Sequence, residues 1–402
     1  MQSFKLLASY LLMLTALISC EKNQNNNPEF KVEYEKIILD NGLQVIFHID
    51  RSDPVVAVGL TSHVGSAREI EGRTGFAHLF EHLLFLESEN LGKGGLDKMS
   101  ARIGGSGANG STNRDRTNYL QTVPKDALEK MIWAEADKLG YFINTVTNQV
   151  LSKEKQVVKN EKRQSVDNRP YGHTFKVMGD NLYPKAHPYS WSVIGSLEDL
   201  QNATLQDVKD FFNRWYVPNN VTLTIAGDFD TAQAKQWVEK YFNDIKRGED
   251  IPEMEKQPVV LSETKKVYYE DNFARLPQLN LTWSSVYQYH KDSYALKVLA
   301  TYLSEGKKAP LYKTLVEQEQ LTASVSMFQS GSEIAGEFTL RTTAFSNTDL
   351  DEVEKAVFKA LLDFEANGIS ETDLSRIKAG QETDFYNSLS SVLGKGAKLA
   401  QY

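Results

Sequence analysis

The sequence predicts an α+β protein built from two tandem, homologous domains. Strand-like apolar runs alternate along it with helical patterns. Its 402 residues exceed what one ordinary core accommodates. The order of segments in the first half recurs in the second.

From the N-terminus, Lys5 precedes an apolar run over residues 6–18, short of the roughly 20 residues that a bilayer-crossing helix needs. That pattern has the form of a signal peptide over residues 1–19. Cys20 is the only cysteine and has no disulfide partner within the chain. Leu17-Ile18-Ser19-Cys20 resembles a bacterial lipobox. The resemblance implies lipidation of Cys20, a polar tether over residues 20–29, and export to the bacterial cell envelope, with the membrane reached through the lipid anchor alone. An ordinary signal-peptidase site is the competing reading, and Leu17 and Ser19 fit its small-residue rule poorly.

The first folded domain is expected over residues 30–245. Strand-like Val32-Glu33-Tyr34 and Leu43-Gln44-Val45-Ile46-Phe47 flank Asp40-Asn41-Gly42, a hairpin signal. Further strands are expected over 55–60, 119–123 and 221–226. A charged stretch containing Gly248 and Pro252 marks a linker over 246–257. In the second domain, 258–402, strand-like segments at Val259 and Val267 precede helices over 293–303 and 311–317, strands up to Leu340, and more helices. Tyr402 comes before any counterpart of the last helix and strand of the first copy, at 205–226, so the second domain is expected to be C-terminally incomplete.

Charge narrows the partners. With 53 acidic against 45 basic side chains the net charge is -8, which repels a phosphate backbone and argues against nucleic acid. Peptides or proteins fit better. The Gly-rich run 104–112 lacks the Lys and following helix of a phosphate loop, so nucleotide binding is rejected.

The chemistry concentrates in residues 74–86, Thr-Gly-Phe-Ala-His-Leu-Phe-Glu-His-Leu-Leu-Phe-Leu, a helix apolar on nearly every side and therefore buried. Its polar exceptions are His78, Glu81 and His82, and buried polar groups must be hydrogen-bonded, paired or bound to a metal. One helical turn separates the two histidines, so they can grip one ion together, while Glu81 lies about 60° round from His78 and can reach a water on that ion. This is H-x-x-E-H, the inverted zinc-protease pattern. Two histidines satisfied by core hydrogen bonds is the competing reading.

A catalytic zinc needs a third protein ligand and an open fourth position. Glu154, Val157, Val158 and Glu161 fall on one face of a charged helix over 151–164, where the valines carry both glutamates inward toward a partner. A solvated face is the alternative. In the second copy Leu374-Ser375-Arg376-Ile377-Lys378 matches Leu151-Ser152-Lys153-Glu154-Lys155, so Ile377 stands for Glu154 and Asp384 falls opposite Glu161. No histidine pair accompanies them, which assigns the chemistry to the first copy. His48, His63, His173, His187 and His290 have no ligand spacing and read as structural or exposed.

Gly65-Ser66-x-Arg68-Glu69, then Gly75-Phe76-Ala77-His78-Leu79-Phe80-Glu81-His82-Leu83-Leu84-Phe85, then Asn160-Glu161 resemble the pitrilysin or insulinase family of zinc metallopeptidases. His187-Pro188-Tyr189, Val193-Ile194-Gly195, Pro218-Asn219-Asn220 and Gly227-Asp228-Phe229 extend the likeness over nearly the whole mature chain. It points to the short two-domain bacterial type, similar to mitochondrial processing peptidase subunits. The resemblance implies mostly antiparallel sheets with helices on one face, and a zinc endopeptidase acting on peptides or small unfolded proteins. It implies one Zn2+ per chain held by His78, His82 and Glu161, with Glu81 as general base and Glu154 as an assisting glutamate. Asn109, Gly110, Ser111 and Thr112 resemble an edge strand on which substrate adds as another strand; a plain hairpin loop is the alternative.

The family also uses an arginine and a tyrosine from a later half or a partner subunit. Here Val316 and Ala323 stand in their places. Neither can stabilise an oxyanion. The expectation is therefore a weak enzyme alone, completed by a related non-catalytic subunit or by a homodimer. The rival is a non-catalytic, zinc-containing assembly subunit; Glu81 favours the enzyme, because a purely structural site needs no base beside an open position.

Overall fold

The computed structural model describes residues 31–106 and 108–401. The signal-peptide reading of 1–19, the lipidation reading of Cys20 and the tether over 20–29 lie outside the described residues, as does Gly107 of the Gly-rich run. Residues from Glu35 onward pack as one unit.

The expected first hairpin forms, but its first strand comes later than Val32-Glu33-Tyr34, which carries no regular element: β1 (Glu35–Ile38) pairs antiparallel with β2 (Gln44–Ile49). Gly42 sits at φ +90°, which a side chain would strain. The Asn41 amide, buried beside it, donates to the carbonyls of Phe242 (2.8 Å) and Ile245 (2.9 Å). Next come β3 (Val55–Ser62), α1 (Phe76–Leu86), α2 (Gly95–Ile103), β4 (Asn109–Thr112), β5 (Thr117–Pro124), α3 (Leu128–Tyr141), α4 (Asn148–Lys162), α5 (Thr174–Leu182), α6 (Leu197–Asn202), α7 (Leu205–Trp215), β6 (Val221–Gly227) and α8 (Thr231–Phe242). The strands make one sheet in the order β1-β2-β6-β3-β5-β4, antiparallel except for the parallel pair β2 and β6.

Alternation along the strands sorts their side chains. Val56, Val58 and Leu60 of β3, with Leu223 and Ile225 of β6, join the core formed with the helices. Burying each of Leu79, Phe80 and Leu83 of α1 there is worth about 1.5–3 kcal/mol.

The second half repeats the order. β7 (Gln278–Ser285), α9 (Lys291–Ser304), the short α10 (Pro310–Tyr312) running into a π-helical turn, β8 (Thr322–Gly331), β9 (Gly336–Ala344), α11 (Leu350–Asn367), α12 (Glu371–Ser388) and α13 (Val392–Leu399) follow one another. Its antiparallel sheet runs β7-β9-β8, matching β3-β5-β4 of the first, over a core that includes Leu303, Leu311, Leu340 and Val357.

Each half lends a helix to the other. α13 lies on the back of the first sheet, where Val392 packs against Ala57 and Ala226. Small side chains make this approach possible, since a Cβ on Gly396 would meet those of Ala226 and Ala57 at 3.4 and 3.8 Å. With helices on both faces, β3 and β6 are buried along nearly their whole length. Reciprocally, α5 approaches β7, and the Arg341 guanidinium lies 4.8 Å from the ring of Phe175.

The strands expected at the start of the second half do not form. No strand forms at Val259 or Val267; residues 251–277 carry no regular element, and Val260 and Tyr268 are 88% and 77% exposed. A strand needs a neighbour to pair its backbone, and among the described residues β7 pairs with β9 alone. Val259 instead joins Met254 and Leu261 at the edge of an apolar cluster that includes Leu182, Tyr189 and Ile334.

Candidate functional site

Two carboxylates hold the start of α1. Glu69 accepts from the amides of Gly75 (2.9 Å) and Ala77 (2.8 Å), and Asp199 accepts from the amide (3.0 Å) and hydroxyl (2.6 Å) of Thr74. Acceptors here satisfy amides that have no partner within the helix. Gly75 adopts φ +89°, so the helix begins at Phe76 rather than Thr74. Phe76, Ala77, Leu79, Phe80, Leu83 and Leu84 are buried, which leaves His78, Glu81 and His82 only partly covered on the remaining face. A site that must admit substrate requires that opening.

Thr147 caps α4 by accepting from the Val150 amide (3.3 Å). The expected inward stripe of this helix is narrower than its four residues. At about 100° per residue, Leu151 and Val158 lie roughly 60° and 40° to one side of Glu154, while Glu161 and Val157 lie roughly 20° and 60° to the other. Burial follows that order: Leu151, Val158 and Glu154 are buried, the Glu161 side chain is 41% exposed, and Val157 faces solvent. Val157 therefore does not carry the glutamates inward. Glu161 sits at the margin of the buried sector, where it can reach across to α1.

The two helices bring the donors together. Nε2 of His82 is 3.1 Å from Oε2 of Glu161, and Nε2 of His78 is 3.6 Å from Oε1. The imidazole centroids are 4.8 Å apart and nearly edge-on, at 72°. Among the described residues this is the group of three such donors close enough for one ion, its ligand atoms lying within 4.8 Å of one another. Zinc bonds of about 2.0–2.2 Å in a tetrahedron place donors about 3.3–3.6 Å apart, close to the separations of Glu161 from the two imidazoles.

The two histidines differ in protonation. Burial, with the neighbouring charge of His82, pulls the His78 imidazole down to about 4 against the pull of Glu81, keeping it a neutral donor at neutral pH. Burial acts on His82 too, but the Glu154 hydrogen bond and the charges of Glu161, Glu154 and Glu81 raise it above the ordinary histidine value. Glu154, buried, lies 3.2 Å from Nδ1 of His82 and thereby orients the ring whose other nitrogen faces Glu161.

β4 runs along the edge of the first sheet beside this group. The Thr112 hydroxyl donates to Oε2 of Glu81 at 2.5 Å. Gly110 lets strand and helix approach, since a Cβ there would lie 2.9 Å from Cγ of Glu81 and 3.1 Å from the Phe85 ring. Arg116 donates to the carbonyl (2.9 Å) and hydroxyl (2.8 Å) of Ser111. Asn109 begins the strand and is exposed.

In the second copy Ile377 is buried and Asp384 exposed, with no histidine nearby in sequence. His187, buried, accepts from the Tyr189 amide (3.0 Å) and pairs with the Gln257 carbonyl (3.1 Å), which is a structural role. His290 caps α9. Three roles escaped the sequence: Glu69 and Asp199 at the head of α1, and Thr112 on Glu81. An acid a few residues before a helix start could have flagged Glu69; the other two are long-range contacts with no local signal.

Residues 44–186 match the family model described as insulinase (peptidase family M16), and residues 202–381 match the one described as peptidase M16 inactive domain. The chain is 29% identical over 375 residues to the zinc protease PqqE of Helicobacter pylori, covering 92% of this chain and 83% of that protein. It is 23% identical over 355 residues to the uncharacterized zinc protease YmxG of Bacillus subtilis, covering 88% and 84%. The crystal structure of a protease from Helicobacter pylori superposes with a TM-score of 0.85 at 28% identity, over 93% of this chain and 89% of that one. A peptidase M16 inactive domain from Pseudomonas fluorescens shares the fold at 17% identity, with a TM-score of 0.79 over 92% and 87%.

The donor geometry predicts that His82→Ala or Glu161→Gln removes tightly held divalent metal from the purified protein. Glu154→Gln should keep it with about 10–100-fold weaker affinity. Competition with a chromogenic chelator measures both; full metal retention by Glu161→Gln would remove that residue from the site.

Proposed function

The chain belongs to the insulinase family of peptidases, and from that premise we propose that it is a zinc-dependent endopeptidase anchored by lipid on Cys20 in the bacterial cell envelope. The observation that supports hydrolysis most is the placement of Glu81. Its carboxylate stands beside the imidazoles of His78 and His82, held by Thr112, and is not needed to complete a three-donor set with Glu161. A site built only to hold an ion has no use for it.

His78, His82 and Glu161 would hold the zinc. When bound, zinc supplies Lewis acidity toward water and a carbonyl oxygen. The chain's own residues do the rest. Glu81 takes the proton from the water that adds to the scissile carbonyl carbon and returns it to the amide nitrogen as the carbon–nitrogen bond breaks. Thr112 fixes one oxygen of Glu81, leaving the other for the proton. Glu154 keeps the His82 ring turned so that Nε2 faces Glu161.

Substrate is a peptide or small unfolded protein that adds as a strand to the edge of β4. The Asn113 amide donates to the Arg116 carbonyl (3.0 Å), closing the hairpin with a hydrogen-bonded pair. Ladder alternation then turns the backbone groups of Thr112 and Gly110 toward the open edge. Backbone pairing there tolerates many side chains, so sequence preference is loose. Because Val316 and Ala323 replace the arginine and tyrosine of full family sites, a related subunit without the zinc motif supplies them.

Three outcomes follow from this reading. Glu81→Gln should keep zinc and lose about 10²–10⁴-fold in peptide hydrolysis; unchanged hydrolysis would remove Glu81 from the mechanism. The purified chain alone should cleave an unfolded peptide weakly, rising about 10²–10³-fold when a subunit carrying the missing oxyanion donors is added; full activity as a monomer contradicts the two-subunit arrangement. Cys20→Ser should move the protein from the membrane fraction to the soluble fraction, and persistence with membranes rejects the lipid anchor.

A further inference from the structure

The turn that ends β4 is gripped from both sides. On one side the loop 65–67 closes on it: the amides of Ser66 and Ala67 donate to the carbonyls of Asn113 (3.2 Å) and Arg114 (2.7 Å), and a Cβ on Gly65 would lie 2.2 Å from the Asn113 oxygen. On the other side stands the tip of the β8–β9 hairpin, which belongs to the second half. The Glu333 amide donates to Oδ2 of Asp115 (2.9 Å), while the Tyr189 hydroxyl donates to Oδ1 of Asp115 (2.6 Å) and accepts from the Ile334 amide (3.0 Å). Arg114 donates to Oε1 of Glu337 (2.8 Å), which also accepts from the Tyr183 hydroxyl (2.9 Å). The Arg114 guanidinium lies 4.7 Å from the Tyr189 ring centroid, and His63 pairs with Glu333 at 2.6 Å.

An apolar contact could join two halves at less cost. Ala67, Leu182, Tyr183, Tyr189, Ile334 and Ala335 already provide one. Adding Arg114, Asp115 and Glu337 to it brings little net stability, because desolvating charges offsets most of their attraction. What such pairing does provide is direction: the charge-assisted bond from Arg114 to Glu337 and the Asp115 carboxylate with both oxygens engaged fix a position, where apolar surfaces slide. The position fixed is that of a strand. Thr112 lies two residues, about 7 Å, before Arg114, and its hydroxyl holds Glu81.

We propose that Arg114 and Asp115 are positioning residues through which the second half, by Glu337, the Glu333 amide and the Tyr189 hydroxyl it engages, sets β4 against Glu81 and keeps its edge ready for a substrate strand. The half that carries no metal donor thereby governs substrate engagement. This rests on the reading that substrate adds to β4.

Amide hydrogen exchange on the full-length protein tests it without requiring turnover. Glu337→Gln and Asp115→Asn each keep size while weakening the grip. Exchange across residues 109–118 should accelerate at least about tenfold, with α1 and β3 unchanged and metal content intact. Arg114→Lys, which keeps the charge but loses the planar guanidinium beside the Tyr189 ring, should fall between wild type and Glu337→Gln. In a hydrolysis assay, KM for an extended peptide should rise several-fold with a smaller change in kcat. Unchanged exchange in β4, equal acceleration in α1 and β3, or failure of both variants to fold would each overturn the proposal, since the contacts would then be idle or merely hold the halves together. Variants that show the exchange pattern beside a wild-type chain that hydrolyses nothing would count against the peptidase reading and leave the positioning role standing.

Discussion

The approach of Glu161 on α4 to the imidazoles on α1 is the constraint around which the first half is organised. Two histidines one turn apart make half a metal site, and a third donor must come from another element at a distance of about 3 Å. Here that distance is met at 3.1 and 3.6 Å. It depends on rotation of α4 about its axis. Leu151 and Val158 define the buried sector, Glu154 falls inside it, and Glu161 falls at its margin. A small rotation in one direction would bury Glu161 against apolar side chains, and in the other would turn it to solvent with Val157.

The rest of the scaffold supports that geometry. Glu69 and Asp199 fix where α1 starts, Gly110 lets β4 come close enough for Thr112 to hold Glu81, and Glu154 sets the tilt of His82. The exchange of helices between halves ties this arrangement to the repeat. α13 covers the back of the first sheet while α5 reaches the second, so neither sheet is covered by its own half alone. The second copy kept the scaffold and lost the donors: Ile377 is buried where Glu154 would be, an apolar side chain replacing a buried carboxylate that would otherwise need a partner.

Legibility in the sequence tracked the range of the interaction. The pair His78 and His82, with Glu81 between them, could be read because helical spacing is local. The two-domain α+β organisation could be read because the repeat is long, and strand alternation placed β2, β3, β5 and β6. Glu161 was reached through a stripe on α4 and through family likeness, and the stripe misplaced Val157, since periodicity locates a face only to within about one residue's turn. Val259 and Val267 misled because apolar, β-branched composition describes a surface suited to a sheet without supplying the neighbouring strand. Thr112 on Glu81, Asp199 on Thr74 and the grip on Arg114 and Asp115 were invisible for a common reason: each joins residues separated by at least 31 positions.

X-ray absorption at the zinc edge of the metal-loaded chain tests the central geometry most directly. The account predicts a shell of two imidazole nitrogens and carboxylate oxygen at about 2.0–2.2 Å, with no sulfur. A shell with one imidazole or none, or one containing the sulfur of Cys20, would contradict it.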